Sequence, residues 1–92
     1  MSLKEQLKED LKSAMRDKDN VRKNVVQLIK AGVLQVEKDN KVTLDDEGVS
    51  DVIAKQLKQR RDSLPDYEKS GREDLINQLK REMEILMGYL PA

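Results

Sequence analysis

The sequence contains no cysteine and no histidine among its 92 residues. The first absence excludes disulfides and thiol chemistry, and it is compatible with a reducing compartment. The second removes the side chain that most often transfers protons near neutral pH and the commonest metal ligand. No glycine-rich phosphate loop replaces them. We therefore predict no enzymatic activity, no catalytic residue, no metal site and no cofactor.

Large aromatic side chains are almost missing, since the chain has no phenylalanine, no tryptophan and only two tyrosines, Tyr67 and Tyr89. The core must therefore be aliphatic, and its stability limited enough that an oligomer or a second domain would help. Without aromatic lining we expect no small-molecule substrate site and no platform on which nucleic-acid bases stack.

Long apolar runs are also absent. The longest, "VVQLIKAGVLQV" at residues 25–36, contains Lys30 and is too short to cross a bilayer. The N-terminal "MSLKEQLKED" is charged from its fourth residue and does not resemble a signal peptide. These features predict a soluble cytoplasmic protein with no membrane association.

The chain is rich in charge, but the two signs balance at 18 basic and 18 acidic residues. This balance argues against a general polyanion binder. The distribution is uneven, because residues 1–41 carry ten basic and seven acidic side chains and residues 42–92 carry eight and eleven. The two halves can attract each other in the fold, or the first half can face an anionic partner.

Apolar residues recur at helical spacing through most of the chain and predict an all-α single domain over residues 1–92, built as a small antiparallel bundle of about four helices. Helix 1 is predicted over residues 3–17, with Ser2 and Glu5 as a capping box. Helix 2 is predicted over residues 20–38, capped by Asp19 or Asn20 and ended by Asn40.

The apolar stripes of helix 2, including Leu28, Ala31 and Leu34, cover most of its surface and predict a central helix that several others contact. Gly32 in its middle is expected to let another helix backbone approach closely. Helix 3 is predicted to begin after an Asp45 cap.

The stretch "KQRRDSLPDYEKSGRED" at residues 58–74 connects the last two predicted helices. Pro65 removes a hydrogen bond inside a helix and clashes with the preceding turn. Helix 3 is therefore either kinked and continuous there or broken near Asp62, with Ser63 capping a new short helix. Gly71 can adopt positive φ and ends the segment, after which helix 4 is predicted over residues 72–87.

Arg60 falls on the apolar seam of helix 3, and Arg61 lies beside it. A seam arginine packs its stem on the core and needs a carboxylate for its guanidinium. An ion pair with Glu82 or Glu84 on helix 4 is expected; the alternative is a contact to RNA phosphate, although neighbouring acids dilute the positive field.

A strip of basic residues spaced by four runs along helix 1 and continues around the first turn into helix 2. It is either a solvated face that keeps the protein soluble or a patch that faces an anionic partner such as RNA. The candidate anion-binding residues are Lys4, Lys8, Lys12, Arg16, Lys18, Arg22 and Lys23.

The end of helix 4 carries Met83, Leu86 and Met87, which form a candidate protein interface. It would receive a second copy of the chain or a further domain.

Four segments of the sequence together span essentially the whole chain: "MSLKEQLKEDLKSAMRDKDNVRKNVVQLIKA" at the N-terminus, then "KQRRDS", "SGREDL" and "YLP". In these segments, and in their order and spacing, the chain resembles the bacterial YqeY proteins. The family is related to the C-terminal region of GatB, a subunit of the tRNA-dependent amidotransferase. The tail-like C-terminal domain of YqeY proteins would follow "YLP", so we expect either an isolated N-terminal domain or a short relative. Pro65 stands where family members commonly carry a helix-compatible residue.

The resemblance implies an all-helical, non-catalytic module that associates with tRNA or with amidotransferase components. The family is often assigned a carbon–nitrogen ligase activity with glutamine as amide donor, which the residues of this chain do not support. The alternative is a structural or protein-interaction domain that docks a further domain or self-associates.

Overall fold

The computed structural model describes residues 1–91, and these form four α-helices and no strand. Helix α1 spans Leu3–Arg16, α2 spans Asn20–Asn40, α3 spans Asp46–Ser70 and α4 spans Glu73–Met87. The all-α bundle that the helical periodicity predicts is confirmed.

Side-chain caps begin the first three helices, as the sequence indicates. The Ser2 hydroxyl accepts the Glu5 N–H, and the carboxylates of Asp19 and Asp45 accept the N–H groups of the third residue beyond each. The capping box of α1 is only half formed, because the Glu5 carboxylate accepts the Ser2 hydroxyl at 3.1 Å instead of a backbone N–H. The Leu3 N–H instead donates to Asp46 at 3.0 Å, which ties the start of α1 to the start of α3.

Helix α2 is two residues longer than the sequence predicts. Asn40 is its last helical residue, and its side-chain amide donates to the Val36 carbonyl at 3.1 Å. The left-handed cap is Lys41, with φ 53°, so the assignment of the cap to Asn40 is wrong. The side chain of Asn40 satisfies a helix carbonyl, and the turn moves one residue further on.

Helix α3 runs without a break through Pro65. Ser63 does not cap a new helix, because its hydroxyl donates to the Gln59 carbonyl one turn earlier, at 3.0 Å. The helix ends at Gly71 in the left-handed conformation with φ 69°, where a glycine carries no side-chain penalty. Of the two alternatives at Pro65, the structure therefore shows the continuous helix.

Successive helices run antiparallel. Lys4 near the start of α1 contacts Glu37 near the end of α2, and Arg60 in α3 contacts Glu82 in α4. Helix α2 packs against the other three helices, as a central helix does. Twelve apolar side chains fill the core: Leu7, Ala14, Val25, Val26, Ile29, Val33, Val49, Ile53, Leu57, Ile76, Leu79 and Leu86.

Gly32 makes room for side chains and not for a helix backbone. A Cβ atom at this position would lie 2.9 Å from the Gln56 amide nitrogen and 3.0 Å from a Val52 methyl group. The Gln56 amide also donates to the Leu28 carbonyl at 3.0 Å. The glycine therefore seats two α3 side chains on the surface of α2.

Candidate functional site

Lys4, the first member of the predicted basic strip, is held by an ion pair. Its Nζ lies 2.5 Å from the Glu37 carboxylate, which also accepts the Leu44 N–H at 2.7 Å. The hydrogen bond from Lys4 and, to a smaller extent, the one from the Leu44 N–H hold the pKa of Glu37 below its ordinary value. Lys4 thus ties α1 to the end of α2 and offers little free positive charge to a ligand.

Arg22 belongs to a second network, which is built around Asp10 on α1. Its guanidinium lies 3.6 Å from the Asp10 carboxylate, which also accepts the Gln6 amide at 3.0 Å and the hydroxyl of Tyr89. Burial, followed by the bond to Asp10, raises the pKa of Tyr89 above its ordinary value. The network connects α1, α2 and the segment after α4.

A cleft of about 500 Å³ opens over this network between α1 and α4. Arg81 on its α4 side lies 3.6 Å from Asp19 and 3.8 Å from Glu84. Because both arginines of the cleft face carboxylates, the arrangement holds helices together more than it attracts an anion. The roles of Asp10 and Tyr89 were not predicted from the sequence, where the one signal for Tyr89 was its place in the family motif "YLP".

Five members of the strip are loosely paired or have no ion pair within residues 1–91; four of them are exposed, and Lys23 is half-buried. Lys12 lies 3.8 Å from Glu9 and Arg16 lies 4.0 Å from Asp17, both in exposed positions. Within residues 1–91, the other three have no ion pair. We call these five residues the basic edge: Lys8, Lys12, Arg16, Lys18 and Lys23.

The basic edge follows one side of α1 and the turn into α2. Lys8, Lys12 and Arg16 recur every fourth residue on α1, and Lys18 adopts a left-handed conformation in the turn. Lys23 lies seven residues before Lys30, which shares a groove with Lys4. Helical spacing therefore places Lys23 on the edge of α2 that faces α1.

Among the residues predicted to form ion pairs, the structure brings Arg60 and Glu82 together. The Arg60 Nε donates to Glu82 at 2.8 Å, and both side chains are mostly buried. Arg61 is exposed and has no ion pair within the described residues, and Glu84 faces Arg81. The pair lies between α3 and α4, so Arg60 serves the fold and is not presented to a phosphate.

The predicted interface at the end of α4 does not form a continuous surface. Leu86 is completely buried in the core, and Met83 packs against that core. Only Met87 is substantially exposed. The assignment of Leu86 to an interface is wrong, because the α4 stripe to which it belongs is the one that packs against the bundle.

Two leucines of α2 that the sequence analysis placed on the core stripes face solvent instead. Leu28 and Leu34 are 52% and 65% exposed, and Ala31 between them is also exposed. Helix α2 contacts three helices, and no element of residues 1–91 covers its fourth side. The periodicity could not show this, because it reveals apolar stripes but not how many neighbours are present to cover them.

Within residues 1–91 no cluster of acidic side chains has the arrangement of a metal site. The same residues contain no helix of the length and apolar content needed to span a bilayer.

Residues 4–92 match the family model described as Yqey-like protein. The chain belongs to the YqeY-like family. The resemblance that the sequence motifs indicate is therefore confirmed.

Relatives outside bacteria carry this YqeY-like sequence as part of a longer chain. A protein of Kluyveromyces lactis is 40% identical over 87 residues, covering 94% of this chain and 47% of that protein. One of Eremothecium gossypii is 34% identical over 87 residues, covering 94% and 48%. One of Saccharomyces cerevisiae is 30% identical over 89 residues, covering 91% and 46%. The chain thus spans about half the length of the curated relatives it matches.

All three relatives are named "Altered inheritance of mitochondria protein 41, mitochondrial". These names contradict the predicted cytoplasmic location, and the fungal organisms contradict the bacterial origin implied by the resemblance to bacterial YqeY proteins; both expectations are wrong. Composition could not have decided the point, because the absence of cysteine is compatible with any reducing compartment.

Proposed function

We propose that this YqeY-family chain is a non-catalytic helical module that binds the phosphate backbone of tRNA through the basic edge. The observation that supports the proposal is that, within residues 1–91, no residue of the basic edge takes part in the ion pairs that join one helix of the bundle to another. Lys4, Arg22 and Arg60 are all engaged by carboxylates across helix boundaries. The five residues of the basic edge face at most an exposed carboxylate 3.8 Å or more away.

Binding of this kind contacts phosphates and does not read bases. Contacts to phosphates need only cationic side chains that reach the nucleic-acid backbone, whereas proteins that bind unpaired bases stack them on aromatic side chains. Tyr67 lies on α3, and Tyr89 is half-buried with its hydroxyl bonded to Asp10. Neither tyrosine belongs to the basic edge, so we expect little sequence preference.

The proposed role is accessory and not catalytic. The cleft between α1 and α4 contains titratable groups, but Asp10 and Tyr89 bond to each other and Arg22 faces the same carboxylate. No thiol or imidazole is available in the chain to act as nucleophile or base. A module that holds tRNA for amidotransferase components agrees with the relationship of the YqeY family to the C-terminal region of GatB.

The test is a titration of labelled tRNA at about 50 to 200 mM salt with wild type and the triple variant Lys8→Glu, Lys12→Glu, Arg16→Glu. Released counterions make the affinity fall steeply with salt. Each phosphate contact contributes roughly 0.9 to the slope of log affinity against log salt. The triple variant is therefore expected to bind weakly and to lose up to roughly 2.7 of that slope.

A matched control carries the same change of charge on exposed residues of α3: Lys55→Glu, Lys58→Glu, Arg61→Glu. It is expected to keep most of the affinity and the wild-type salt slope. Undetectable tRNA binding by the wild type at low salt, or equal loss in the two triple variants, would contradict the proposal.

A further inference from the structure

The side of α2 that packs against no other helix of residues 1–91 is uncharged over more than three turns. Leu28, Ala31 and Leu34 follow one another at a spacing of three, so they lie along one side of the helix. Asn24, Gln27 and Gln35 are also exposed and complete the surface. We call these six residues the α2 face. In a chain with 39% charged residues, an exposed surface without charge that carries two leucines is a candidate contact site.

A groove of about 340 Å³ between α1 and α2 adjoins this face at Leu34. Leu7 and Val33 form its apolar lining with Leu34, and Lys4, Lys30 and Glu37 complete it. A second depression, lined by Asn24, Gln27, Leu28 and Ala31, lies at the other end of the face. Leu28, Ala31 and Leu34 form a ridge between the two depressions. A row of apolar side chains from a partner can pack against this surface.

The charge around the groove is positive. Lys4 is neutralised by Glu37 at 2.5 Å, but the exposed Lys30 has no ion pair within residues 1–91. From Asn20 to Val36, α2 carries Arg22, Lys23 and Lys30 and no acidic residue. A partner surface that complements the α2 face is therefore apolar in its centre and negatively charged along one edge.

We propose that the α2 face docks an amphipathic helix of a partner protein, with leucine-type side chains on one ridge and glutamate or aspartate along the edge that meets Lys30. A helix laid against a groove is a recurring mode of recognition, with anchors at helical spacing. This site is separate from tRNA binding, because it depends on Leu28, Leu34 and Lys30, none of which belongs to the basic edge.

A second copy of the chain fits this surface less well. Two α2 faces brought together add Lys23 and Lys30 from each copy, since Arg22 is already paired with Asp10, and supply no acidic residue from Asn20–Val36. Like charges near an interface oppose association. RNA also fits less well, because phosphates gain nothing from the exposed leucines. An acidic amphipathic helix satisfies both the apolar ridge and the positive edge.

The probes are two synthetic peptides of about 18 residues with leucines at the spacing of one helix face. One carries glutamate and the other lysine at the flanking positions, and binding is followed by fluorescence anisotropy. The glutamate peptide is expected to bind, with shifts in the amide resonances of Leu28, Ala31 and Leu34. The lysine peptide is expected to bind at least about tenfold more weakly, because it meets Lys30 with like charge.

Three protein variants locate the site. Leu28→Gln with Leu34→Gln is expected to weaken the glutamate peptide at least about tenfold, because it removes both apolar anchors. Lys30→Glu is expected to weaken it several-fold. Leu75→Gln with Met87→Gln makes the same kind of change on exposed residues of α4 and is expected to have no effect. Circular dichroism checks that each variant remains helical.

Several results would overturn the proposal. These are the absence of binding by the glutamate peptide, equal binding by both peptides, and equal effects of the α2 and α4 variants. Sedimentation velocity provides another: a concentration-dependent dimer that Leu28→Gln with Leu34→Gln abolishes would assign the face to a second copy. Loss of tRNA binding in the same variant would assign it to RNA. Unchanged tRNA binding beside lost peptide binding supports two separate sites.

Discussion

The contact between Arg60 and Glu82 is expected to stabilise the fold by more than an exposed ion pair does. The Glu82 carboxylate accepts Arg60 Nε at 2.8 Å and the Gln78 amide at 3.1 Å. The two side chains of the pair are only 14% and 19% exposed. Exposed pairs contribute about 0.2–1 kcal/mol, and removing one partner of a buried pair costs about 3–5 kcal/mol.

The pair lies between these limits, so Glu82→Gln is expected to cost about 1–3 kcal/mol. The variant keeps the shape of the side chain but leaves the Arg60 guanidinium without a counter-charge. Arg60 also donates to the Gln56 carbonyl at 3.2 Å, which keeps part of its hydrogen bonding and argues for the lower half of the range. For a domain of this size, 1 kcal/mol corresponds to about 4–8 °C in Tm.

The assay is a double-mutant cycle with Arg60→Met and Glu82→Gln, measured by urea unfolding near pH 7. Circular dichroism is the appropriate signal because the chain has no tryptophan. The coupling energy is expected to be about 1–2 kcal/mol. The control cycle removes Lys58 and Asp62, an exposed pair at 3.0 Å on the same helix, with an expected coupling of about 0.5 kcal/mol or less. Equal couplings in the two cycles would refute the reasoning.

Gly71→Ala is expected to cost about 1 kcal/mol, because φ 69° is unfavourable for alanine and no atom lies close enough to a new Cβ to add a clash. Gly71→Asn should recover part of the loss in urea unfolding, and an alanine variant as stable as wild type would contradict the role of the left-handed turn. The pKa of Glu37 is lowered in the folded state, chiefly by the hydrogen bond from Lys4. The contribution of the Glu37 carboxylate to the stability of the fold is therefore complete above the ordinary carboxyl pKa and is lost as the pH falls through the folded pKa. Lys4→Met should therefore make the free energy of unfolding fall less steeply between about pH 5 and 3, and an unchanged pH profile would show that the ion pair does not set this pKa.

The elements of the fold could be predicted well because their signals are local. Ser2, Asp19 and Asp45 cap the helices from within one turn, and Gly71 ends α3 through its own φ. The effect of Pro65 on α3 could not be predicted, because it is not decided by local sequence alone. The effect depends on whether the packing of α3 against α4 outweighs one lost hydrogen bond, and a short window of sequence does not contain that comparison.

The candidate site was less predictable, because its properties depend on partners far away in sequence. Nothing near Lys4 indicates that Glu37 will neutralise it, and nothing near Arg22 indicates that Asp10 and Tyr89 will share its surroundings. Charge patterning identified the basic strip as a whole. Only the long-range contacts separate the members that hold helices together from those that remain available to an anion.

The sequence by itself determined the four helices, the side chains that cap the first three at their N-termini and the aliphatic composition of the core, since hydrophobic periodicity and capping act over a few residues. The tertiary structure decided which apolar stripes found a neighbour. Leu86 is covered by the bundle, whereas Leu28 and Leu34 lie on the side of α2 that no other helix in the described part of the chain covers. A stripe shows that a helix has an apolar side, but burial also requires another element to lie against it, and that depends on the position of every helix in the bundle.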